Sequence, residues 1–585
     1  MAIVVGMSAQ DGPADWIVTN AKVVTLDERR PAASSFAVRN GRFVSVGSDA
    51  ATAALRGPKT RTINARGRTV IPGLNDSHLH AVREGRFYNL ELRWDGVTSL
   101  QQALTMLREQ AARTPRGHWV RVVGGWSPYQ FTERRLPTVE ELNDAAPDTP
   151  VLVLFLYSRG FLNRAGVDAM NITPETKAPT GSRFELVRGG GAVLHCEPSP
   201  AILYQSVAKL PPMSTEEQAS SILHWYRELN RFGLTSAVDA GGGGHAYPDD
   251  YAAGEALARQ NKVNLRLSMY LFAQKADVEL QDYQKWTNDV KLDVDLAPGR
   301  PHGYVYEGAG ENLVAAVADF ENFLADSPAL SDEKLRSQLK AVTTQLVRNG
   351  WPIRIHATYD ATITKVLDVF EEVFKAENFR GRWFIDHAEG ISDQNLQRVK
   401  RLGGGIAIQN RMAFSGEYYV ERYGKEAAGS APPLRKMLAS GVPLGAGTDA
   451  TRVSSFNPWL SLYWMVSGKT VGGTELYAKD DRLTREQALR LFTVGSAWFS
   501  GDEQVKGRIA PGQLADFAIL SADYFSVSEE QIKNIESVLT VLGGEVVYAA
   551  APFQALAGPP LPSALPAWSP VAHFGGYQTA PGSKR

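Results

Sequence analysis

The chain has 585 residues, of which 44% are hydrophobic and 21% are charged, and its formal net charge is −1. This composition is typical of a globular protein, and the length exceeds what one hydrophobic core usually serves, so we expect several folding units. The near-zero charge excludes a global field that would attract nucleic acid or an anionic membrane. Cys196 is the only cysteine, so no intrachain disulfide can form and a reducing cytoplasm is the predicted compartment.

The N-terminus carries no recognisable export signal. The stretch from Met1 to Ser8 lacks a basic region, and its apolar run is short. No later stretch reaches the roughly 20 apolar residues that a membrane-spanning helix needs. We therefore predict a soluble, intracellular protein that acts on a small molecule, with a homodimer left open as its assembly.

Two β-rich segments flank the rest of the chain. Residues 16–72 contain several strand-like runs, two of them around Asn40-Gly41, which is a strong hairpin signal. Residues 516–520 and 538–548 again form strand-like runs around a turn. The pattern predicts one small β-sandwich built from residues 1–72 and 501–550, followed by a tail at 551–585. Two unrelated β appendages are the alternative.

The most informative motif lies at residues 72–80, which read Pro-Gly-Leu-Asn-Asp-Ser-His-Leu-His and follow the apolar run 69–71. Histidines two residues apart on an extended strand project to the same face, so the imidazoles of His78 and His80 can bind one metal ion. A surface strand with two solvated histidines is the alternative, and the rest of the chain disfavours it.

Residues 73–500 form a body longer than the roughly 250 residues of a plain (β/α)₈ barrel. The excess lies mainly between His80 and the strand-like run 234–240, so we predict an insertion at about 85–230. An insertion after the first strand would cover the active-site face as a lid. Trp126 and the region of Phe155 would then give a partly aromatic pocket, with packing in the core as the alternative for Trp126.

Three further strand-like runs end in candidate ligands. His356 ends the run 352–356, His387 ends 383–387, and Asp449 ends 442–449, with helix-like stretches between them. Strands that alternate with helices predict a parallel sheet, and the carboxyl ends of its strands form the active-site face of a (β/α)₈ barrel. One such histidine would more often be structural, but three strand ends together with the His-x-His motif indicate a metal site.

These motifs resemble the metal-dependent amidohydrolase superfamily, in particular the branch that includes N-substituted formamide deformylase. The resemblance extends over almost the whole chain. It rests on Asn20–Val23, the motif at 72–80, Gly233–Ser236, His356, His387, Gly447–Asp449 and Lys506–Phe517.

The resemblance implies a role for each ligand. His78 and His80 correspond to the metal ligands of the first strand, and His356 and His387 to the histidines of the fifth and sixth strands. Asp449 corresponds to the aspartate of the eighth strand, which binds metal and takes a proton from the attacking water.

The chain departs from the family at one ligand. Relatives with two metals have a carboxylated lysine that bridges them, but the strand expected to carry it, residues 303–308, has no lysine. Lys291 or Glu307 would have to substitute. Four imidazoles and one carboxylate suffice for a single Zn²⁺ with an open water position. The predicted cofactor is therefore a divalent metal, Zn²⁺ above others, as one or two ions.

Other residues near the predicted strand ends are candidates for substrate contacts. His245 follows the glycines at 241–244, and Asn410 and Arg411 follow the predicted seventh strand. Glu307 and Arg452 belong to the same group of candidates. A structural role is the alternative for each of them.

The resemblance implies a hydrolase that cleaves a carbon–nitrogen bond in a small non-peptide amide, an N-substituted formamide among the candidates. Asp449 would act as the proton shuttle, and His387 would hydrogen-bond the oxyanion. A deaminase or an ester or lactone hydrolase on the same site remains an alternative. A non-catalytic scaffold would be expected to have lost ligands, whereas all five positions are present here.

Overall fold

The computed structural model describes residues 12–579, apart from 198, 293, 320–322 and 325–329. Within those ranges, none of the helices combines the length and the apolar character needed to cross a membrane. The strands, in chain order, are β1 Trp16–Thr19, β2 Lys22–Val24, β3 Ala32–Ala33, β4 Ser35–Arg39, β5 Arg42–Gly47, β6 Arg61–Asn64, β7 Thr69–Pro72, β8 Leu74–Leu79, β9 Val120–Val123, β10 Val151–Phe155, β11 Arg159–Leu162, β12 Arg183–Leu186, β13 Ala192–His195, β14 Leu234–Asp239, β15 Arg266–Leu271, β16 Tyr304–Ala309, β17 Ile353–Ala357, β18 Trp383–His387, β19 Gly405–Gln409, β20 Leu444–Gly447, β21 Phe517–Leu520, β22 Ser537–Leu542 and β23 Glu545–Ala549.

The α-helices, in chain order, are α1 Asp49–Ala53, α2 Ala81–Gly85, α3 Leu100–Arg113, α4 Val139–Ala145, α5 Arg164–Ala169, α6 Ala201–Ala208, α7 Thr215–Arg231, α8 Ala252–Arg259, α9 Glu279–Asp289, α10 Asp332–Arg348, α11 Asp360–Ala376, α12 Asp393–Arg401, α13 Arg411–Ala428, α14 Leu434–Ser440, α15 Pro458–Ser467, α16 Arg485–Arg490, α17 Glu529–Ile532 and α18 Pro570–Phe574.

Eight parallel strands form the centre of the molecule, in the order β8-β14-β15-β16-β17-β18-β19-β20. The first and eighth strands meet, because the Asp449 amide donates to the His78 carbonyl at 2.8 Å and the His80 amide to the Ala450 carbonyl at 3.3 Å. The sheet is thus a nearly closed barrel, and the predicted (β/α)₈ fold is confirmed.

The barrel helices follow the sequence periodicity closely. In α11, Ile363, Leu367, Phe370 and Phe374 recur every three or four residues, and all four are buried against the barrel. Such an apolar stripe holds a helix on a sheet, while its polar face stays in solvent. The helices therefore fix the strand ends, where the candidate ligands lie.

Both chain ends contribute to one pair of sheets, as predicted. One sheet has the order β5-β4-β1-β6, and the other has the order β23-β22-β21-β7-β2-β3. In the second sheet β7, from the N-terminal segment, pairs antiparallel with β21, and Phe517 lies opposite Pro72. Phe517 also packs edge-on against Phe36 between the sheets, with ring centroids 4.9 Å apart. The two termini thus share one core.

The run at 69–71 belongs to this sandwich and not to the barrel. The structure ends that strand at Pro72 and begins the first barrel strand at Leu74. Gly73 separates them, and a side chain there would begin 2.1 Å from Thr235 Oγ1. The close packing of β8 against β14 therefore requires glycine at this corner.

A large insertion separates the first and second barrel strands, as predicted. It contains a sheet of its own, in the order β12-β13-β11-β10-β9. Trp126 packs in the core of the insertion, against Phe131 at 5.6 Å and Phe155 at 5.3 Å, and its indole donates to the Leu154 carbonyl. The insertion is therefore a folded layer with its own core.

The described part of the C-terminal tail packs back onto the body of the protein. The ring of Tyr577 contacts that of Phe232, with centroids 5.6 Å apart.

We expect Phe517→Ala to destabilise the protein by about 3–5 kcal/mol, because it removes a buried aromatic from a core shared by both termini. Its side chain is 1% exposed. Urea unfolding measures the change, and limited proteolysis should show that residues 16–64 become more susceptible. Thr62→Ala, at an exposed position of β6, is the control and should change stability by less than about 1 kcal/mol. Unchanged protection of the N-terminal segment would contradict a shared core.

Candidate metal centre

The five predicted ligands lie together at the carboxyl ends of four barrel strands. His78 lies on β8 and His80 directly follows it, His356 lies on β17, His387 ends β18, and Asp449 lies two residues beyond β20. All five side chains are buried. The parallel topology brings residues from distant parts of the sequence to one end of the barrel.

Two of these residues have an unusual backbone. His387 has φ of 81° and Asp449 has φ of 52°, both in the left-handed region that L-residues seldom adopt. Such conformations carry a cost and recur where a side chain must point in a direction that a regular strand does not allow. Here they turn both side chains toward the barrel axis.

Asp76 holds the first and eighth strands together below the site. Its carboxylate accepts hydrogen bonds from the His78 amide at 2.9 Å, from the Thr448 amide at 3.1 Å and from the Thr448 hydroxyl at 2.7 Å. Burial raises the pKa of Asp76 to about 6, although these hydrogen bonds oppose the rise. The motif before His78 thereby fixes the loop that carries Asp449.

The structure adds a sixth ligand candidate, Glu311, two residues beyond β16. Its Oε2 lies 3.2 Å from His356 Nδ1, 3.1 Å from His387 Nε2 and 3.7 Å from His78 Nε2. Its Oε1 lies 3.6 Å from His80 Nε2. Glu311 therefore lies between the histidines of the first strand and those of the fifth and sixth strands.

The sequence analysis left Lys291 or Glu307 to replace the bridging carboxylated lysine of relatives with two metals. Neither residue reaches the site, and Glu311 is the carboxylate that the structure places there. Lys291 is exposed to solvent. Burial raises the pKa of Glu307 to about 7, and its neighbours there are Asp502, Lys506 and Ser268 rather than the histidines. Glu307 lies within β16, whereas Glu311 lies two residues beyond its carboxyl end, and only Glu311 lines the cavity.

Three overlapping groups of donors each lie close enough to hold one ion. They are His78 with His387 and Asp449, His78 with His80 and Glu311, and Glu311 with His356 and His387. Imidazole nitrogens and carboxylate oxygens are the donors that divalent zinc prefers. His78 Nε2 and His387 Nδ1 are buried without a hydrogen-bond partner among the described residues, as expected for atoms that face a metal. The donor set fits one ion or two.

The other nitrogens of three histidines are engaged, which fixes their ring orientation. His80 Nδ1 donates to the Gly241 carbonyl at 2.7 Å. His78 Nδ1 lies 2.9 Å from Asp386, and His356 Nε2 lies 3.0 Å from Asp319. Partners of this kind hold metal-binding histidines in one tautomer and one direction. Sequence reasoning missed Asp319 and Asp386, although Asp386 directly precedes His387.

Both carboxylates at the centre have pKa values below their usual range. Burial alone would raise the pKa of Glu311, but the charge of His78 and hydrogen bonds from His356 and His387 lower it well below its usual value. Burial likewise opposes ionisation of Asp449, and His78 and His80 outweigh it, so its pKa also falls well below normal. Two negative charges surrounded by imidazoles form a site with strong attraction for a divalent cation.

A cavity opens onto five of the ligand candidates, His80, Glu311, His356, His387 and Asp449. Its other walls are Arg83, Tyr157, Tyr204, Gly243, Phe272 and Asn312. Tyr157 and Tyr204 come from the insertion and stack with centroids 6.0 Å apart. The aromatic wall that the sequence placed at Trp126 and Phe155 is thus formed by these tyrosines and Phe272, because Trp126 and Phe155 pack inside the insertion.

The remaining predicted contacts lie around the cavity and not on its wall. His245 is buried and meets the Tyr251 hydroxyl at 3.2 Å. Arg411 forms an ion pair with Glu389 at 2.5 Å. Asn410 is fully buried, and neither Nδ2 nor Oδ1 of its side chain has a hydrogen-bond partner within the described part of the chain. Their roles in substrate binding stay predictions.

Comparison with known proteins agrees with this architecture. The sequence model of the amidohydrolase family matches residues 61–548. The chain belongs to the amidohydrolase family. With the buried cluster of His, Asp and Glu side chains, this membership makes it a metal-dependent hydrolase of that family.

Similar proteins match over nearly their whole length. The chain is 24% identical to an N-substituted formamide deformylase of Arthrobacter pascens, over 91% of this chain and 98% of that protein. It is 25% identical to Protein LONG AFTER FAR-RED 3 of Arabidopsis thaliana, over 92% of each. The solved structure of an uncharacterised metal-dependent hydrolase of Pyrococcus horikoshii has the same fold, with a TM-score of 0.62 and 21% identity. The match covers 88% of this chain and 99% of that protein. These relatives show the family and leave the substrate undetermined.

We expect Glu311→Gln to lose at least about half of the metal bound by the wild type, because the neutral amide is a much weaker ligand than a carboxylate. Elemental analysis after purification with Zn²⁺ measures this. The matched control is Glu307→Gln on the same strand, which should bind as much metal as the wild type. Equal metal content in the two variants would contradict the assignment of Glu311 to the centre.

Proposed function

We propose that this chain hydrolyses a carbon–nitrogen bond in a small non-peptide amide, and that N-substituted formamides are the first substrates to test. The observation that carries this proposal is the position of the Asp449 carboxylate. It lines the cavity, and its Oδ1 lies 3.1 Å from Nε2 of the ligand candidate His80. The deformylase among the relatives supports the choice of formamides. Amines leave poorly, so amide hydrolysis needs a group that moves a proton to the departing nitrogen.

The proposed cofactor is Zn²⁺, which His78, His80, Glu311 and Asp449 would hold, and His356 and His387 would supply donors for a second ion. When bound, the ion supplies Lewis-acid polarisation of the substrate carbonyl and water of lowered pKa. The histidines would bind as neutral imidazoles, because the single ring proton of His80 is donated from Nδ1 to the Gly241 carbonyl and that of His356 from Nε2 to Asp319, which leaves the other nitrogen of each ring free to bind the ion.

Asp449 acts as the proton shuttle in this proposal. Its low pKa keeps it ionised at neutral pH, so it can accept the proton of the attacking water. It can then give that proton to the nitrogen of the collapsing intermediate. Its left-handed backbone and its amide hydrogen bond to the His78 carbonyl hold it on the inner side of the barrel.

His387 stabilises the oxyanion in a one-ion centre. Its Nδ1 lies 3.9 Å from Asp449 Oδ2 and has no hydrogen-bond partner in the described structure. This role requires the tautomer with the proton on Nδ1, in which Nε2 does not donate to Glu311. In a two-ion centre the same ring would serve as a ligand, as part of the donor group that it forms with Glu311 and His356.

We expect the zinc-loaded protein to hydrolyse N-benzylformamide. Benzyl formate is the matched ester, since it differs only by oxygen in place of the N–H group. The release of benzylamine and of benzyl alcohol, each corrected for the uncatalysed rate, measures the preference. A clear preference for the ester would assign the site to ester hydrolysis, and release of ammonia from an aminated heterocycle, with no amide cleavage, would assign it to deamination.

We expect Asp449→Asn to lose at least about 10²-fold in turnover, because an amide cannot accept the proton of the attacking water. The assay is run with saturating Zn²⁺ and expressed per bound ion, so that loss of metal is not mistaken for loss of proton transfer. Asp393→Asn, on the exposed start of α12, should behave as the wild type. Turnover near the wild-type value in Asp449→Asn would overturn the proposed role.

A further inference from the structure

Arg83 is a cavity residue that the proposed reaction does not use. It lies in α2, three residues after the ligand His80, and lines the same cavity. Its side chain is 5% exposed. A side chain built on Gly242 would begin 3.0 Å from Arg83 Nη1 and 2.8 Å from His80 Nδ1, so the guanidinium lies beside the metal centre.

The guanidinium of Arg83 lacks a counter-ion. Among the described residues no carboxylate lies within ion-pair distance of it, and its Nη2 is buried without a hydrogen-bond partner. Glu84, next to it in sequence, pairs with Arg93 at 3.3 Å. Arg86, one turn later, pairs with Asp250 at 2.5 Å. Arg83 therefore differs from its charged neighbours Glu84 and Arg86, which both form ion pairs within the protein.

No nearby carboxylate pairs directly with Arg83. Burial opposes its charge, and Tyr157, Tyr204, Asp449 and Glu84 outweigh that effect and raise its pKa, but among the described residues no carboxylate lies within ion-pair distance. A buried donor without a partner is unfavourable, so the free Nη2 lowers stability unless a ligand satisfies it. Because Arg83 lines the cavity, an anion that enters the cavity can reach the guanidinium.

The surroundings suit an anion attached to an apolar group. Tyr157 and Tyr204 form the wall beside Arg83, and Arg452 lies over the Tyr204 ring at 5.1 Å. Gly243 brings the backbone close, since a side chain on it would begin 2.8 Å from the Tyr204 ring. A second cation near the same wall strengthens the attraction for a negative charge.

We propose that Arg83 binds a carboxylate of the substrate, so that the hydrolysed amide carries an anionic group within a few bonds of its scissile bond. The planar guanidinium presents two parallel N–H groups that match the two oxygens of a carboxylate. This inference rests on the proposed amide hydrolysis for its reaction, but the anion-binding site itself does not depend on it. Arg83 would determine specificity and position the substrate against the ligands of the metal.

Activity on a matched pair of amides tests the proposal. N-formylphenylalanine and N-formylphenethylamine differ only by the carboxylate. In the wild type we expect the first to have the higher kcat/KM. In Arg83→Met, which keeps the length of the side chain, its kcat/KM should fall by about 30-fold or more, the scale of losing one partner of a buried charge pair. The neutral amide should change by less than about threefold. Arg86→Met is the control and should keep the preference.

A binding experiment separates this inference from the proposed reaction. Calorimetric titration of the zinc-loaded protein with 3-phenylpropionate and with 3-phenylpropanol compares the same group with and without a negative charge. We expect the wild type to bind the carboxylate at least about tenfold more tightly, and Arg83→Met to lose that difference. A preference that survives in Arg83→Met would place the carboxylate on the metal and overturn the proposal. Absence of any preference in the wild type would overturn it as well.

Thermal unfolding gives a further criterion. Since no carboxylate of the described residues lies within ion-pair distance of Arg83, its replacement breaks no ion pair, and Arg83→Met should melt at the same temperature as the wild type or higher. A lower melting temperature with an unchanged carboxylate preference would make Arg83 a structural residue. If neither formyl compound is hydrolysed while the carboxylate still binds through Arg83, the proposed reaction fails and the anion site stands.

Discussion

The active end of this barrel depends on the junction between its first and eighth strands. Asp76 accepts hydrogen bonds from the amides of His78 and Thr448 and from the Thr448 hydroxyl, and the Asp449 amide closes onto the His78 carbonyl. A carboxylate buried in a low-dielectric interior is costly unless several donors satisfy it, so this arrangement admits little movement. It places the carboxylate of Asp449 against the histidines of the first strand.

The same principle applies to three of the histidines, whose second ring nitrogen meets a partner outside the cavity. Asp386 orients His78 and is itself held by Arg354, whose guanidinium donates at 2.8 and 2.7 Å. Asp319 orients His356 and accepts the amides of Thr358 and Tyr359. These contacts determine which ring nitrogens face the centre, and they leave the cavity side of each ligand available for an ion.

Several features around the cavity suit a functional site but lower the stability of the folded protein. The imidazoles crowd together, His387 and Asp449 have left-handed backbones, and Arg83 is buried without a counter-ion. Each of these features costs free energy in the empty protein. The barrel helices, the insertion and the sandwich shared by both termini supply the apolar burial that supports them. Strained and charged groups of this kind are tolerated where a ligand relieves them.

The sequence alone predicted the barrel, the sandwich, the insertion and five ligand candidates that the fold brings together. The alternation of strands and helices predicts parallel strands, and parallel strands align their carboxyl ends. His78, His356, His387 and Asp449 each lie at such an end, so the sequence predicts that their side chains meet. Only the tertiary structure identified the sixth ligand candidate, Glu311. Glu307 lies within β16, whereas Glu311 lies two residues beyond its end, where the chain no longer follows strand geometry, so the alternation of a strand could not place it among the histidines. The missing partner of Arg83 also required the fold, because whether a charge is neutralised depends on side chains far away in sequence.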